Sequence, residues 1–227
     1  MSASVYDALR TVPLFRDVPE PDLRAISSLV RERRVPRGSL IISEGDPGDA
    51  LSVILSGQVK VTVIAEDGRE VILSVLGPGA FFGEMALLDD QPRSAHVISM
   101  EHTVLLQLRR EDFRARLRIA PELAISLLRE LSRRLRPADH TIASLMLLDV
   151  NGRIARLLLE LAREEGEPGT RITRRLTHAA IGQMVGASRE TVSRTMRHFV
   201  LSSLIAVSRK EVLLLDPAAL RQAAQTA

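Results

Sequence analysis

The 227-residue sequence predicts an α+β fold in three parts: an N-terminal antiparallel β-roll, a long central helix and a C-terminal winged helix-turn-helix. Short Val/Ile/Leu-rich runs broken by Gly, Pro and Asp turns predict the roll. Apolar residues recurring every three or four positions, to about residue 148, predict the central helix. A helix, turn, helix and hairpin pattern over residues 173–215 predicts the last part. The boundaries fall at 1–119, 120–149 and 150–227.

Pro19 and Pro21 open a short helical segment, "PEPDLRAISSLV", and the pattern changes to strands near residue 33. From there to "RSAHVISMEHTVLLQL", turn signals return every 8 to 12 residues, the spacing of an antiparallel roll or barrel. "EDGRE", residues 66–70, is a hairpin turn between "VKVTVI" and "VILSV". Pro121 suits a first helical position, and Leu128, Leu131, Leu135, Ala138, Ile142 and Leu145 then draw one apolar stripe. Such a stripe packs into a core or against a second copy, and its place between two domains favours a two-stranded seam, hence a homodimer. Beyond it lie "VNGRIARLLLELAREE", a Gly/Pro loop, a helix starting at Thr177 and the stretch "GASRETVSRTMRH". "LIAVSRKEVLLL" alternates like a hairpin with Arg209 and Lys210 at its tip, and Asp216-Pro217 caps a last helix.

Composition narrows the chemistry. With 45% hydrophobic residues the chain can bury a core, and no apolar run approaches the roughly 20 residues of a membrane span. The N-terminus lacks a basic region followed by a long apolar stretch, so a cytoplasmic protein without membrane contact is expected. Zero Cys excludes disulfides, thiolate metal sites and a cysteine nucleophile. The histidines, at 96, 102, 140, 178 and 198, have no metal-ligand spacing, so no metal is expected. No Walker-type loop and no nucleophile with an obvious base occur, so no enzyme is expected. Residues 150–227 carry 12 Lys+Arg against 7 Asp+Glu, and residues 1–149 carry 19 against 21. A net +5 on the C-terminal part against −2 on the rest points to a polyanionic partner there, although nearly every base is Arg, as GC-biased codon usage also produces.

Two constellations carry chemistry. In "THAAIGQMVGASRETVSRTMRHFV", Gly182 is small where two helices would cross closely, Gly186 supplies a turn and Ser188 is a candidate N-cap. At about 100° per residue, Glu190, Ser193, Arg194 and Arg197 share one face and Val192, Met196 and Phe199 the other. Arg189 and Arg194 can present donor forks to guanine, and Glu190 can accept from a cytosine amino group, as a recognition helix in the DNA major groove does. The bland alternative is a solvated face with Glu190 paired to Arg194. In "FFGEMALLDDQPRSAHVI", Arg93, Ser94 and backbone amides can hold a phosphate, and Glu84 suits a ribose hydroxyl. Read alone, that stretch also fits a plain hairpin with a surface ion pair.

In this order the two constellations resemble the CRP/FNR family of bacterial transcription regulators, and the chain is similar to its cyclic-AMP receptor branch over nearly its whole length. "FGEMALL" with "PRSA" resembles the family's phosphate-binding cassette, "LLDVNGRIARLLLELA" the segment after its dimer helix, and "IGQMVGASRETVSR" its recognition helix. The resemblance implies a homodimer with a cyclic-nucleotide-binding jelly-roll, a central dimerisation helix and helix-turn-helix domains that move when effector binds. It implies cAMP as effector, with cGMP, another small molecule or constitutive activity behind it. Gly83 and Glu84 would hold the ribose, and Arg93 and Ser94 the cyclic phosphate. Met85 and Ala95 would line the pocket, and Arg134 would lie near it. Arg189, Glu190 and Arg194 match readers of a TGTGA-type half-site in double-stranded DNA. Thr177, Ser188, Thr191, Arg197 and Lys210 match DNA-backbone contacts. The loop "REEGEPGT" falls where the family meets RNA polymerase. Ala138-Asp139 stands where the family's Thr-Ser meets adenine, and Asp also suits guanine's N1–H and N2–H pair. Pro137, mid-helix beside that position, predicts a kink that shapes the switch.

Overall fold

A computed structural model describes residues 5–164, 166, 170–173, 176–208 and 211–225 of the chain. It forms two compact units, Met1–Leu135 and Arg136–Ala227. In the first, α1 (Val5–Arg10), a 3₁₀ turn (Pro13–Phe15) and α2 (Glu20–Leu29) precede the strands. Pro19 is the N-cap of α2, with Glu20, Pro21 and Asp22 in the first turn, where a missing N–H is harmless and negative charge is favoured. The strands β1 (Arg31–Val35), β2 (Leu40–Ile42), β3 (Ala50–Ser56), β4 (Val59–Ile64), β5 (Glu70–Leu76) and β6 (Phe81–Phe82) lead into α3 (Met85–Leu88). Then come β7 (His96–Ser99), β8 (Thr103–Arg109), α4 (Arg110–Ile119) and α5 (Pro121–Leu147).

The strands build two antiparallel sheets, ordered β1-β8-β3-β6 and β2-β7-β4-β5. Val35, Ile54, Phe82 and Leu105 of one meet Val59 and Val97 of the other inside the roll. The first sheet's opposite face, with Val53, Leu106 and Leu108, packs under Phe15, Phe113 and Leu123 from the helices. Burial on both faces explains why "VLLQL" reads as a near-continuous apolar run rather than an alternating one. The predicted hairpin forms: Ala65 N–H donates to Arg69 O at 2.9 Å, and Ile64 pairs with Glu70. Charged Arg31, Glu32, Arg33 and Arg34 guard the open edge of β1, the usual protection against edge-to-edge pairing.

Helix α5 runs unbroken through Pro137, whose carbonyl accepts from Thr141 Oγ1 at 3.0 Å. Of the predicted stripe, Leu131 packs on the first unit's core, while Leu128, Leu135, Ile142 and Leu145 are 64%, 61%, 58% and 51% exposed. Four apolar residues of the stripe thus stand open to solvent.

In the second unit, α6 (Val150–Glu164), β9 (Arg171–Ile172), α7 (His178–Val185), α8 (Arg189–Leu201), β10 (Ile205–Val207), β11 (Val212–Leu214) and α9 (Pro217–Ala223) surround Ile154, Leu158, Ile181, Met196 and Phe199. The wing has three strands, β10-β11-β9, because β9 adds to the predicted hairpin. Its tip residues, Arg209 and Lys210, lie outside the described residues. Gly186 ends α7 at φ 67°, the left-handed cap that glycine adopts without strain. Gly182 is small for a different reason than helix crossing: a Cβ there would lie 2.5 Å from Ala187 O in the turn, and 3.7 Å from Val192 on α8. Gly182→Ala should therefore cost roughly 1–3 kcal/mol by overpacking. Gly77→Ala, with nothing within 4 Å of its Cβ, should be near neutral. Urea unfolding followed by circular dichroism checks both, and equal stability of the two variants would contradict the assignment.

Candidate functional site

The turn between β6 and α3 gathers a polar cluster from residues that the sequence brackets together. Gly83 takes φ 85°, and a Cβ on it would lie 2.6 Å from Arg93 Nη1 and 3.1 Å from Ala50 O, so backbone and guanidinium meet only because the residue is glycine. Arg93 is buried. Its Nη1 donates to Gly83 O at 2.6 Å and its Nη2 to Ala50 O at 3.0 Å and Asp49 Oδ1 at 2.9 Å. Its backbone joins the 45–46 loop: Arg93 N–H donates to Asp46 O at 2.8 Å and Gly45 N–H to Arg93 O at 2.9 Å. Asp49 is 90% exposed, so the buried guanidinium leans on a carboxylate that water already holds, one an incoming anion can displace. Ser94 is exposed and donates toward Met85 Sδ at 3.9 Å, Met85 is half exposed, and Ala95 is buried.

Glu84 is the pocket's anomaly. It is 4% exposed; Oε1 accepts from Arg134 Nη1 at 3.0 Å, and Oε2 is buried with no hydrogen-bond partner among the described residues. Arg134 also donates Nη2 to Phe81 O at 2.6 Å and lies 4.1 Å over the Phe81 ring, a cation–π contact. Burial pushes the Glu84 carboxyl above the usual carboxylate range, outweighing the opposing pull of Arg134, its backbone amide and Arg93. A buried acceptor whose lone pairs meet no donor asks for a hydroxyl or N–H. The first unit thus unites Gly83, Glu84, Met85, Arg93, Ser94, Ala95 and Arg134. Ala138 and Asp139 are exposed and belong to the second unit. Sequence reading missed Asp49, Ala50 and Phe81, since partners chosen by backbone carbonyls and a turn aspartate leave no periodic signal. The four-residue α3 carries no sequence signal either, being too short for a helical period.

On α8, Val192, Thr195, Met196 and Phe199 are buried, while Arg189, Glu190, Arg194 and Arg197 are exposed and with Ser193 line one open hollow. Thr195 Oγ1 donates to Asn151 Oδ1 at 2.7 Å, fixing α8 on α6. Among the described residues no ion pair joins Glu190 to Arg194, so the bland pairing does not form. Glu190 is held below the usual carboxylate range, first by its own backbone N–H and next by the Ser188 hydroxyl, which keeps it an anionic acceptor. Ser188 caps α8 by accepting from Thr191 N–H at 3.1 Å, and Thr177 caps α7 by accepting from Ala180 N–H at 3.1 Å. Ser188 and Thr191 also share a hydroxyl–hydroxyl hydrogen bond of 3.0 Å. The hydroxyls read as DNA-backbone contacts thus also set where the two helices begin. No group of three side chains suited to a metal ion occurs among the described residues, and no helix of theirs is long and apolar enough to cross a membrane.

The raised Glu84 carboxyl has a signed consequence. A folded-state value above the unfolded one means stability present below the ordinary carboxylate range and lost as pH rises through the shifted value. Glu84→Gln keeps an oxygen for Arg134 and removes the charge. The variant should be more stable than wild type at about pH 8, with the gap narrowing toward about pH 4. Urea unfolding across that interval checks it, and a gap independent of pH would contradict it.

Comparison with known proteins agrees with this geometry. Residues 32–119 match the cyclic nucleotide-binding domain and residues 152–223 the Crp-like helix-turn-helix domain. The CRP-like cAMP-activated global transcriptional regulator of Mycobacterium tuberculosis is 37% identical over 92% of this chain and 95% of its own. The cyclic AMP receptor protein of Thermus thermophilus is 39% identical over 81% and 83%. A solved structure of the c-di-GMP responsive regulator CLP of Xanthomonas campestris superposes with a TM-score of 0.76 at 25% identity, covering 87% of this chain and 100% of that one. With a buried arginine and carboxylate in one unit and an Arg-Glu-Arg helix face in the other, the chain belongs to the CRP/FNR family of transcription regulators: it joins a cyclic nucleotide-binding domain to a DNA-binding helix-turn-helix and is not an enzyme.

Proposed function

We propose that the chain is a homodimeric regulator that binds TGTGA-like palindromic DNA, with affinity raised by cAMP. The observation that carries the nucleotide part is the partnerless Glu84 Oε2 beside buried Arg93. A cyclic nucleotide fits both: its ribose hydroxyl is a donor for Glu84, and its cyclic phosphate an anion for Arg93 and Ser94. Gly83 leaves room for that approach, Met85 and Ala95 line the pocket, and Arg134 steadies Glu84. The names of the mycobacterial and Thermus relatives support cAMP as the nucleotide.

Arg189, Glu190 and Arg194 read base edges, and Thr177, Ser188, Thr191, Arg197 and Lys210 meet the DNA backbone. The uncovered α5 stripe supports the homodimer, whose recognition helices would meet half-sites about 34 Å apart. The functional division is 1–119 for effector, 120–149 for dimerisation and 150–227 for DNA. RNA polymerase is a partner by family position. Its contact loop at 163–170 lies partly outside the described residues.

A second reading has its own observation. Ala138-Asp139 replaces the family's Thr-Ser, and an aspartate accepts both the N1–H and N2–H of guanine, which favours cGMP. Fluorescence anisotropy with a TGTGA palindrome separates these readings. cAMP should tighten DNA binding of wild type and leave Arg93→Ala unchanged. Arg189→Ala should lose about 1–3 kcal/mol of discrimination at one base pair. A response to cGMP alone selects the second reading, and no response to either nucleotide overturns both.

A further inference from the structure

Both walls of the nucleotide pocket are gripped from α4. Arg114 Nε donates to Leu87 O at 2.6 Å, and its Nη2 pairs with Asp90 Oδ2 at 2.8 Å. Arg110 Nη1 donates to Gly48 O at 2.8 Å, its Nη2 pairs with Asp90 Oδ1, and its backbone N–H donates to Asp49 O at 2.8 Å. One carboxylate thus takes two guanidiniums, each of which also fills a backbone carbonyl.

Those carbonyls are not incidental. Leu87 O stands at the end of the four-residue α3, where helix carbonyls lack partners in their own chain segment. Gly48 lies directly against α3, since a Cβ on it would be 2.7 Å from Ala86 Cβ. The residues that follow it, Asp49 and Ala50, hold the Arg93 guanidinium together with Gly83 O. Asp90 itself takes φ 60°, the left-handed region that a residue other than glycine enters at some cost, and its carboxylate is what the two arginines bind. An exposed ion pair alone contributes little, and Asp90 is 63% exposed. The cooperative part is the fork, in which each arginine ties the Asp90 turn to a backbone oxygen of the pocket wall.

We propose that Arg110 and Arg114 are positioning residues for the nucleotide pocket: through Asp90, Leu87 O and Gly48 O they set the separation of Arg93 from Glu84, and so the affinity for cyclic nucleotide. This rests on the reading of the pocket as the nucleotide site. Arg114→Lys keeps the charge but cannot fill both acceptors, and Asp90→Gly keeps the left-handed turn while removing the carboxylate.

The test is hydrogen exchange and calorimetric titration with cAMP and cGMP, on the full-length protein, for wild type, each single variant and the double. Amides of residues 87–93 should exchange faster in each variant, with those of α4 unchanged. Nucleotide affinity should fall about 5- to 30-fold in each single variant, the double falling little further because both remove one shared interaction. Lowered thermal stability with unchanged exchange and affinity would make the cluster merely structural and overturn the proposal. So would faster exchange with wild-type affinity. A flat titration in wild type, indistinguishable from Arg93→Ala, would instead overturn the reading of the pocket.

Discussion

A carboxylate cannot be withdrawn from water without partners for its oxygens, and Glu84 is withdrawn with a partner for only one. Arg134 reaches from α5 to satisfy Oε1 and is itself steadied by Phe81, through the ring face and the carbonyl. Gly83 lets the backbone pass close enough to Arg93 for its carbonyl to hold the guanidinium. The remaining oxygen is the place where a donor from outside the chain gains most, because the burial cost is already present in the folded protein. Binding in such a pocket relieves an existing penalty rather than creating a contact from nothing.

The second unit follows the complementary rule. Its recognition helix is fully anchored on one side, by Val192, Met196, Phe199 and the Thr195–Asn151 hydrogen bond, and its exposed side carries charges that water satisfies. Among the described residues Glu190 and its neighbouring arginines are exposed and form no ion pair with one another, as the proposed exchange of water for base edges needs. Rigidity behind and solvation in front suit selective reading of DNA: the helix does not rearrange, so discrimination depends on which bases replace the water.

Local chemistry was legible in the sequence, and partnerships across the fold were not. The Gly68 hairpin, the Ser188 and Asp216 caps, and the Gly186 turn each depend on a few neighbouring residues and form as the sequence predicts, while Thr177, expected as the first helical residue, is the cap one position before it. Gly182 was noticed for its size but for the wrong neighbour, because the obstructing atom is a carbonyl of the turn. Helix α4 escaped notice since Phe113 alone is buried along it, leaving no apolar period to count. Strand β9 is two residues long and exists only by pairing with β11, some 40 positions on. The Arg93 partners at Asp49 and Ala50 lie in what reads as turn punctuation. The residues that sequence reading groups around Glu84 and Arg93 were therefore visible, Ala138 and Asp139 falling in the other unit, and the scaffold that holds them was not.

The central claim is that occupancy of the Glu84–Arg93 pocket and the affinity of α8 for DNA are one coupled equilibrium. Thermodynamic linkage makes that reciprocal: the factor by which nucleotide tightens DNA binding must equal the factor by which DNA tightens nucleotide binding. The most direct measurement is therefore the nucleotide Kd of the protein alone and of the protein saturated with the proposed TGTGA palindrome, at one salt concentration. Tighter nucleotide binding on the duplex, by the same factor found in the DNA titration, is the predicted result. The same nucleotide Kd with and without duplex would contradict the coupling.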